Sequence, residues 1–597
     1  MDYTARVNVE MDLLPALRRY WGYDSFRPMQ ERIVRSLLDG QDTCVVMPTG
    51  GGKSLCYQLP AALLDNRTAI VVSPLIALMQ DQVAQLAQMG IPAALLNSTL
   101  TAAEQSAIMS QAIKGHYRLL YLSPERLARP DTIEWLQRMP ISFFAIDEAH
   151  CISEWGHEFR PEYRQLSSLR RHFPGHTIAA FTASATRQVR HDIVEQLALR
   201  EPHKYIASFH RPNLRYVVRE CDGRSQATLL VRALRMYAGE NVIVYAPTIA
   251  RVEETVAILA EQGIAATAYH GKMDNATRRR NQEKWMSDEV PVLVGTIAFG
   301  LGINKAAVRA VIHLSLPKSI EQYYQEAGRA GRDGLPADCV LLWRKKDAGL
   351  LAHFIEQITD PAERERGWQR YRIVRSFVES KGCRHRQICV HFGESPKWQS
   401  CGACDVCGCE IKWLTEPVAA PRSKQRRAKL TATARAAAAT AAASITFTRG
   451  PRSAAEKEAN FTGSQNEGIS GSGWWGAKAG PKPPNTGADD HASRSQLAIS
   501  ASQHTANGVD PELRAYMREW RRRISKEMNI AAFIIMHDTS LDSLCRVHPR
   551  TLAQLRTVSG FGERKAELYG AQILEALAQF RNGARATQDG STLMDGL

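Results

Sequence analysis

The residues best suited to chemistry fall in three clusters. The first is Met47-Pro48-Thr49-Gly50-Gly51-Gly52-Lys53-Ser54, entered from the apolar pair Val45-Val46. Three consecutive glycines let backbone N–H groups close on phosphate oxygens without side chains in the way. A lysine followed by a hydroxyl residue suits the β- and γ-phosphates and a Mg²⁺ ion. Thr49, Gly50, Gly51, Gly52, Lys53 and Ser54 are therefore read as phosphate-binding residues, with Lys53 also catalytic. Met47 stands where the general pattern has its first glycine, so only the C-terminal half of that pattern is present. The second cluster is Asp147-Glu148-Ala149-His150, after the apolar run Phe143-Phe144-Ala145-Ile146. Carboxylates at the C-terminal end of a strand lie where open α/β sheets bind ligands. Asp147 is expected to share Mg²⁺ with Ser54, and Glu148 to orient and deprotonate an attacking water. The third is Gly328-Arg329-Ala330-Gly331-Arg332-Asp333-Gly334. Arg329 and Arg332 can act on a transferring phosphoryl group only if the part of the chain carrying them faces the glycine loop.

A metal site is also encoded. Cys383 is followed by 17 residues and then by Cys401, Cys404 and Cys407, with two residues between successive members of the trio. Four thiolates complete a tetrahedral Zn²⁺ site; an iron–sulfur cluster is the alternative. Cys389 and Cys409 are extra. Structural zinc contributes ~10–16 kcal/mol to folding in small domains, so this segment is expected to unfold without metal. The other six of the twelve cysteines are scattered and read as reduced thiols, which places the chain in a reducing compartment, the cytoplasm.

Such groups must be positioned by regular elements. Short apolar runs without polar alternation occur at 43–47, 69–73, 119–123, 142–146 and 177–181, and again at 241–245, 265–269, 291–295, 310–313 and 338–342. That is the pattern of strands buried on both faces, and helical stretches such as 225–237 between them fit a parallel sheet. The fold class is α/β: two doubly wound parallel-sheet domains in series, over 1–208 and 209–344, joined near 208–214. A helical, cysteine-rich module follows over 345–410. Residues 411–508 are rich in Ala, Ser, Thr, Gly, Pro and charge and are read as a disordered linker, spanning roughly 50–60 Å if fully flexible. Helical periodicity returns over 509–582, where Leu513, Met517, Trp520 and Ile524 share one face, and 583–597 is read as a flexible tail. No internal repeat is visible.

With these motifs in order, the chain resembles superfamily 2 helicases, and within them the RecQ family. The likeness runs from about Leu13 to Cys407. It is carried by Phe26-Arg27-Pro28-Met29-Gln30, Thr182-Ala183-Ser184-Ala185-Thr186, Trp155-Gly156-His157-Glu158-Phe159-Arg160-Pro161-Glu162-Tyr163, Phe209-His210-Arg211-Pro212-Asn213-Leu214, Ala298-Phe299-Gly300-Leu301-Gly302-Ile303-Asn304-Lys305 and Tyr323-Tyr324-Gln325-Glu326-Ala327-Gly328-Arg329. The resemblance implies two RecA-like domains, ATP as the nucleotide, and 3′→5′ unwinding of duplex or branched DNA from a single-stranded track, in repair, recombination and replication. It implies that Tyr23 stacks on adenine while Arg27 and Gln30 read its edge, that Arg329 or Arg332 is an arginine finger, and that Trp155, Phe159 and Arg160 meet single-stranded DNA. Aromatic faces stack on any base, which suits sequence-independent binding. It also implies a zinc module at the four cysteines. The C-terminal helices resemble the HRDC domain, a DNA-binding accessory module. There Gly560-Phe561-Gly562 either offers backbone N–H groups to phosphate or simply joins two helices.

Departures are few. Glu154 and Glu158 stand where the family has Gln and Asp, and Gly271-Lys272 replaces Ala-Gly after His270. No winged-helix pattern is recognisable after the zinc module, so the alternative activity is a DNA-stimulated translocase or strand-annealing factor that unwinds weakly. The basic run Arg422, Lys424, Arg426, Arg427, Lys429 is either a phosphate grip or a solvated tail, and Trp474-Trp475 is read as an accidental pair. The net charge of +15 over 597 residues suits a polyanionic partner. Residues 1–10 are polar and no run of 18 strongly apolar residues occurs, so no secretory leader and no membrane span are expected. A monomer is expected, in the cytoplasm and, in a bacterium, at the nucleoid. Single-strand-binding protein and a topoisomerase are the protein partners the resemblance suggests.

Overall fold

The computed structural model describes residues 11–97, 99–156, 158–296, 305–409, 411–415, 509–528 and 530–586. The chain separates into one unit of Met1–Glu416 with Asn507–Leu597 and a second of Pro417–Ala506. The second lies outside the described residues, and with it the basic run, the tryptophan pair and the place where a winged helix was missed. Residues 298–304 of the Ala298–Lys305 motif lie outside them too.

The N-terminal sheet holds seven parallel strands: β1 (Thr43–Val46), β2 (Thr68–Val72), β3 (Ala93–Leu96), β4 (Leu119–Leu122), β5 (Ile141–Ile146), β6 (Thr177–Thr182) and β7 (His203–Ile206), in the order β3-β4-β2-β5-β6-β1-β7. The second sheet holds six: β8 (Leu214–Glu220), β9 (Asn241–Tyr245), β10 (Ala266–Tyr269), β11 (Val292–Gly295), β12 (Val308–His313) and β13 (Ala337–Trp343), ordered β10-β11-β9-β12-β13-β8 and again all parallel. All ten expected strands are present, and every residue of β1, β2, β4, β9 and β11 is buried, as helices on both faces require. Three strands were not expected. β3, β7 and β8 each carry polar or alanine-rich sequence, and β3, β7 and β8 all sit at sheet edges, where one flank needs no apolar cover.

The segment after the second sheet forms the helices Lys345–Glu356, Pro361–Glu379 and Arg384–His391. It is stitched to β8: Tyr216 N–H donates to the Ala403 carbonyl at 3.2 Å, and Asp405, which pairs with Arg384 at 3.0 Å, accepts from the Val218 N–H at 3.4 Å. Residues 411–415, assigned to the linker by composition, belong to the folded body instead. The helix Lys412–Thr415 follows Ile411, and Ile411, Trp413 and Leu414 are buried in the core of the second sheet. Three large apolar side chains within four residues supply the burial that the rest of the segment lacks. Likewise Arg585, in the expected tail, pairs with Glu512 at 2.9 Å. The C-terminal helices Pro511–Met528, Ala532–Ile535, Asp538–Val547, Leu552–Leu555 and Glu563–Arg581 enclose a core containing Leu513, Met517, Trp520 and Ile524, the face read from the sequence.

Candidate nucleotide site and its attached loops

The glycine loop runs from the end of β1 into the helix Lys53–Leu63. Gly50 and Gly52 adopt φ of 82° and 81°, and a Cβ on Gly52 would meet the Gln30 amide nitrogen at 2.3 Å, so only glycine fits there. Lys53 Nζ donates to the Met47 carbonyl at 3.1 Å, and burial pushes its pKa below the ordinary lysine value. Met47, in place of the first glycine, is a core residue.

Asp147 follows β5 and is 5% exposed; burial and the adjacent Glu148 raise its pKa to about 7. Glu148 holds a left-handed backbone with φ of 47°, a conformation a non-glycine residue keeps only where its surroundings enforce it. Ser54 Oγ accepts from the Gln82 amide at 3.3 Å, and Gln82 in turn accepts from the Tyr57 hydroxyl at 2.9 Å. A buried carboxyl beside a hydroxyl and a lysine is a donor set that fits Mg²⁺ with phosphate oxygens.

The two sheets face each other across this loop. A Cβ on Gly50 would lie 3.3 Å from Arg332 Cγ, and one on Gly328 would lie 3.4 Å from Thr49 Oγ1. Lys53, Ser54, Asp147, Glu148, Arg329 and Arg332 thus line one cavity of about 620 Å³, with Tyr23, Arg27 and Gln30 on its wall. Burial, then the neighbouring Arg329 and Arg211 guanidiniums, lower the Arg332 pKa to about 9. Arg27 and Gln30 are turned toward the loop: Arg27 Nη1 donates to the Gly50 carbonyl, and the Gln30 amide to the carbonyls of Gly51 and Gly52 at 3.3 and 3.2 Å.

Sequence reasoning missed Arg211. Its guanidinium donates to the carbonyls of Thr49, Gly328, Ala330 and Gly331 at 3.1–3.4 Å. It also missed Gln82, which no motif flags. Arg211 lies inside a motif quoted for the family likeness, and a lone arginine between His and Pro was the available signal.

The aromatic loop leaves Asp147-Glu148 by a short path. His150 lies 3.3 Å from Glu148 and 3.9 Å from Glu158, and the Tyr163 hydroxyl donates to the Asp147 carbonyl at 2.9 Å. Trp155 is 51% and Phe159 36% exposed, large apolar faces left in water beside cations: Arg366 stands 6.0 Å over Trp155 and Arg164 5.8 Å over Phe159. Arg160 is half-buried and reaches Glu158 at 3.4 Å. The departures from the family pattern acquire ionic partners: Glu154 pairs with Arg164 at 3.0 Å and Arg366 at 3.9 Å, and Glu158 with His150.

The Sγ atoms of Cys383, Cys401, Cys404 and Cys407 lie within 4.8 Å of one another. Gly402 takes φ of 65° and the Ala403 N–H donates to Cys401 Sγ at 3.3 Å, the knuckle a tetrahedral thiolate site needs. Cys389 and Cys409 are outside the group.

In the Gly560-Phe561-Gly562 turn, Phe561 and Gly562 are buried and Gly560 is half-buried. Gly560 N–H donates to the Gly22 carbonyl at 3.2 Å, and a Cβ on Gly562 would lie 2.5 Å from the Arg19 carbonyl oxygen. The turn is packed on the N-terminal domain, and the Gly560 and Phe561 N–H groups are taken by the Gly22 and Val558 carbonyls.

Two sheet domains that share one cavity of nucleotide size, with a cysteine knuckle on β8, define a nucleotide-driven motor of the helicase class. The sequence matches the DEAD/DEAH box helicase model over residues 27–192, the helicase conserved C-terminal domain over 225–334, the RecQ zinc-binding model over 345–408 and the HRDC domain over 510–577. It is 34% identical over 603 residues to the ATP-dependent DNA helicase RecQ of Haemophilus influenzae, covering 95% of this chain and 96% of that one. To the protein of the same name from Bacillus subtilis it is 32% identical over 593 residues, covering 94% and 98%. The chain belongs to the RecQ family and is an ATP-dependent DNA helicase, using ATP with Mg²⁺ and carrying the family's zinc-binding module. Among the described residues no helix is long and apolar enough to cross a membrane.

Proposed function

We propose that the protein translocates 3′→5′ on single-stranded DNA and unwinds duplex or branched DNA as it goes, in repair, recombination and replication. The observation that carries this is the shared cavity: Lys53, Asp147 and Glu148 come from one sheet, Arg329 and Arg332 from the other. Tyr23 stacks on the base, with Arg27 and Gln30 linking the base end to the glycine loop. Thr49 to Ser54 cradle the phosphates and Lys53 neutralises the β- and γ-oxygens. Ser54 and Asp147 would hold Mg²⁺, which would supply further charge neutralisation to the phosphates. Glu148 orients a water in line with the γ-phosphorus and takes its proton. The new P–O bond forms as the bond to the β-phosphate oxygen breaks, and ADP leaves with its charge met by Arg329 and Arg332. Each cycle closes and opens the cleft between the sheets. Trp155, Phe159 and Arg160 hold the single strand and pass its presence to Glu148 through His150. Cys383, Cys401, Cys404 and Cys407 would hold Zn²⁺.

The test is strand displacement with ATP and Mg²⁺ on two duplexes, one with a 3′ and one with a 5′ tail, beside Lys53→Ala. Displacement of the 3′-tailed duplex alone, lost in the variant, is expected. DNA-stimulated hydrolysis with no displacement on either would replace this reading by a translocase or annealing factor.

A further inference from the structure

Three donor atoms with no part in the phosphate chemistry converge at the base of the aromatic loop. His150 Nε2 stands 3.8 Å from Cys151 Sγ and 3.9 Å from Glu158 Oε2, and one ligand atom from each of the three residues lies within 4.8 Å of the others. Zinc holds imidazole nitrogen and carboxylate oxygen at about 2.0–2.2 Å and thiolate sulfur at about 2.3 Å, which puts tetrahedral donors roughly 3.4–3.6 Å apart. The two separations from Nε2 exceed that by about half an ångström or less.

The ring is already oriented for ligation. Its other nitrogen, Nδ1, lies 3.0 Å from the Thr182 hydroxyl and 3.3 Å from the Glu148 carboxylate. An ionised carboxylate can only accept, so Nδ1 carries a proton toward it and Nε2 is the atom turned to Cys151 and Glu158. A carboxylate behind a histidine in this way fixes the tautomer and strengthens the imidazole as a metal ligand. His150 and Cys151 are each 1% exposed and the Glu158 side chain 28%, so the imidazole and thiol are shielded and a cation enters from the Glu158 side. Glu158 is also a position where this chain departs from the family, which has Asp there. The extra methylene lengthens the reach of the carboxylate toward the ring.

We propose that His150, Cys151 and Glu158 form a second metal site, taking a thiophilic divalent cation, Zn²⁺, with one position left open, and that its occupation arrests the aromatic loop. Thiolate and imidazole select zinc over the Mg²⁺ that serves the phosphates, which prefers oxygen. The Cys151 thiol gives up its proton as the cation binds. Three ligands hold metal more weakly than four thiolates, so this site fills after the cysteine knuckle and empties before it. Cys151 and Glu158 bracket Trp155, and one cation ties both ends of that stretch to His150. The consequence for hydrolysis rests on the relay proposed above: a ring pinned through Nε2 cannot shift when Trp155 and Phe159 meet DNA, and Glu148 stays held on its other side.

The test uses the full-length protein, freed of loosely held metal, as wild type, Glu158→Gln and Cys151→Ser. Each is dialysed against Zn²⁺ and its metal counted, with Co²⁺ as the probe of ligation. The wild type is expected to hold one zinc before dialysis and two after it, and to gain a thiolate–cobalt charge-transfer band when Co²⁺ is added instead. Both variants are expected to stay at one metal and gain no band. Glu158→Gln is partly exposed and keeps the side chain's shape, so the comparison stands even if Cys151→Ser folds poorly. Added Zn²⁺ is expected to lower DNA-stimulated ATP hydrolysis by the wild type about tenfold or more, within the contribution of a general base, while each variant keeps its own zinc-free rate. Zinc acting on ATP or on the knuckle would inhibit all three proteins alike; that outcome, or a single metal in the wild type, overturns the site. A second metal bound by the wild type and lost in both variants, with hydrolysis unmoved, upholds the site and overturns the arrest together with the relay through His150 on which it rests.

Discussion

Arg211 Nη1 donates to the Thr49 carbonyl at 3.2 Å, and its Nη2 donates to the Gly331 carbonyl at 3.1 Å. One planar guanidinium therefore ties the glycine loop of the first sheet to the arginine turn of the second, at the joint that closes in the proposed cycle. Arg211→Ala is expected to lower kcat for DNA-stimulated ATP hydrolysis by about tenfold or more, with a smaller change in nucleotide affinity. Arg211→Lys should rescue little, because a single ammonium cannot span the four carbonyls a guanidinium fork reaches. Steady-state kinetics on both variants decide it; a loss confined to KM would remove Arg211 from the coupling.

Arg329 and Arg332 both line the cavity, but their settings differ. Arg329 is 7% exposed, whereas Arg332 reaches over Gly50. On the proposed reading both act on the phosphates, and either substitution to Ala is expected to reduce kcat by about 10³, the scale of an arginine finger. Single-turnover hydrolysis with saturating ATP measures the chemical step directly, and an unchanged rate would return both residues to a structural role.

The four thiols form one cluster with their Sγ atoms within 4.8 Å of one another, a tetrahedral donor set, so the knuckle is expected to depend on its metal. Cys404→Ser, or a strong chelator under denaturing pressure, is expected to unfold the segment 345–408 and to loosen β8, whose Tyr216 bonds to Ala403. One zinc per chain in the native protein and none in the variant, by atomic absorption, is the expected result. An iron signal in its place would sink the zinc assignment.

Trp155 at 51% exposure costs the fold little if truncated and leaves an apolar face unused if DNA never meets it. Trp155→Ala is expected to keep basal ATP hydrolysis and lose most of its stimulation by single-stranded DNA, since base–aromatic stacking is worth roughly 1–3 kcal/mol. Titration of the ATPase rate with an oligonucleotide checks it.

What could be read in advance follows from how local each signal is. β1, β2 and β5 are mostly apolar runs without polar alternation because both faces are covered, and the glycine loop is eight contiguous residues, so both were legible. β7, His203–Ile206, is exposed at three of its four residues, and β3, Ala93–Leu96, is built of good helix formers; at a sheet edge neither needs the apolar run that betrays a central strand. The site divides the same way. Lys53 and Asp147 announce themselves by their neighbours. Gln82 and Arg211 sit among unremarkable neighbours and acquire their positions from tertiary packing, across gaps of 28 residues to Ser54 and 162 to Thr49. The helical face of Leu513, Met517, Trp520 and Ile524 was plain from its spacing, but Arg521, one of five arginines around it, turned inward because Asp538 and Asp288 are there to receive it.

That inward arginine makes domain docking sensitive to acid. Burial alone would raise the Asp288 pKa, but Lys305, Arg518 and Arg521 outweigh it and hold the carboxyl well below the usual range. A carboxyl depressed in the docked state contributes stability above the ordinary value near 4, and that contribution drains away as pH falls through the depressed value. Docking is therefore expected to be insensitive to pH from 8 to 5 on account of this group and to weaken progressively below about 4. Asp288→Asn mimics the acid state at neutral pH and leaves Lys305 and Arg521 facing each other without their shared anion, a cost of about 3 kcal/mol for a broken buried pair. Hydrogen exchange in Pro511–Met528 should rise in that variant at pH 7, and the wild type should reach the same exchange, corrected for intrinsic rates, only in acid. Equal protection in the two proteins at pH 7 would show that Asp288 is a bystander and that the apolar contacts of Phe533 and Ile534 carry the docking.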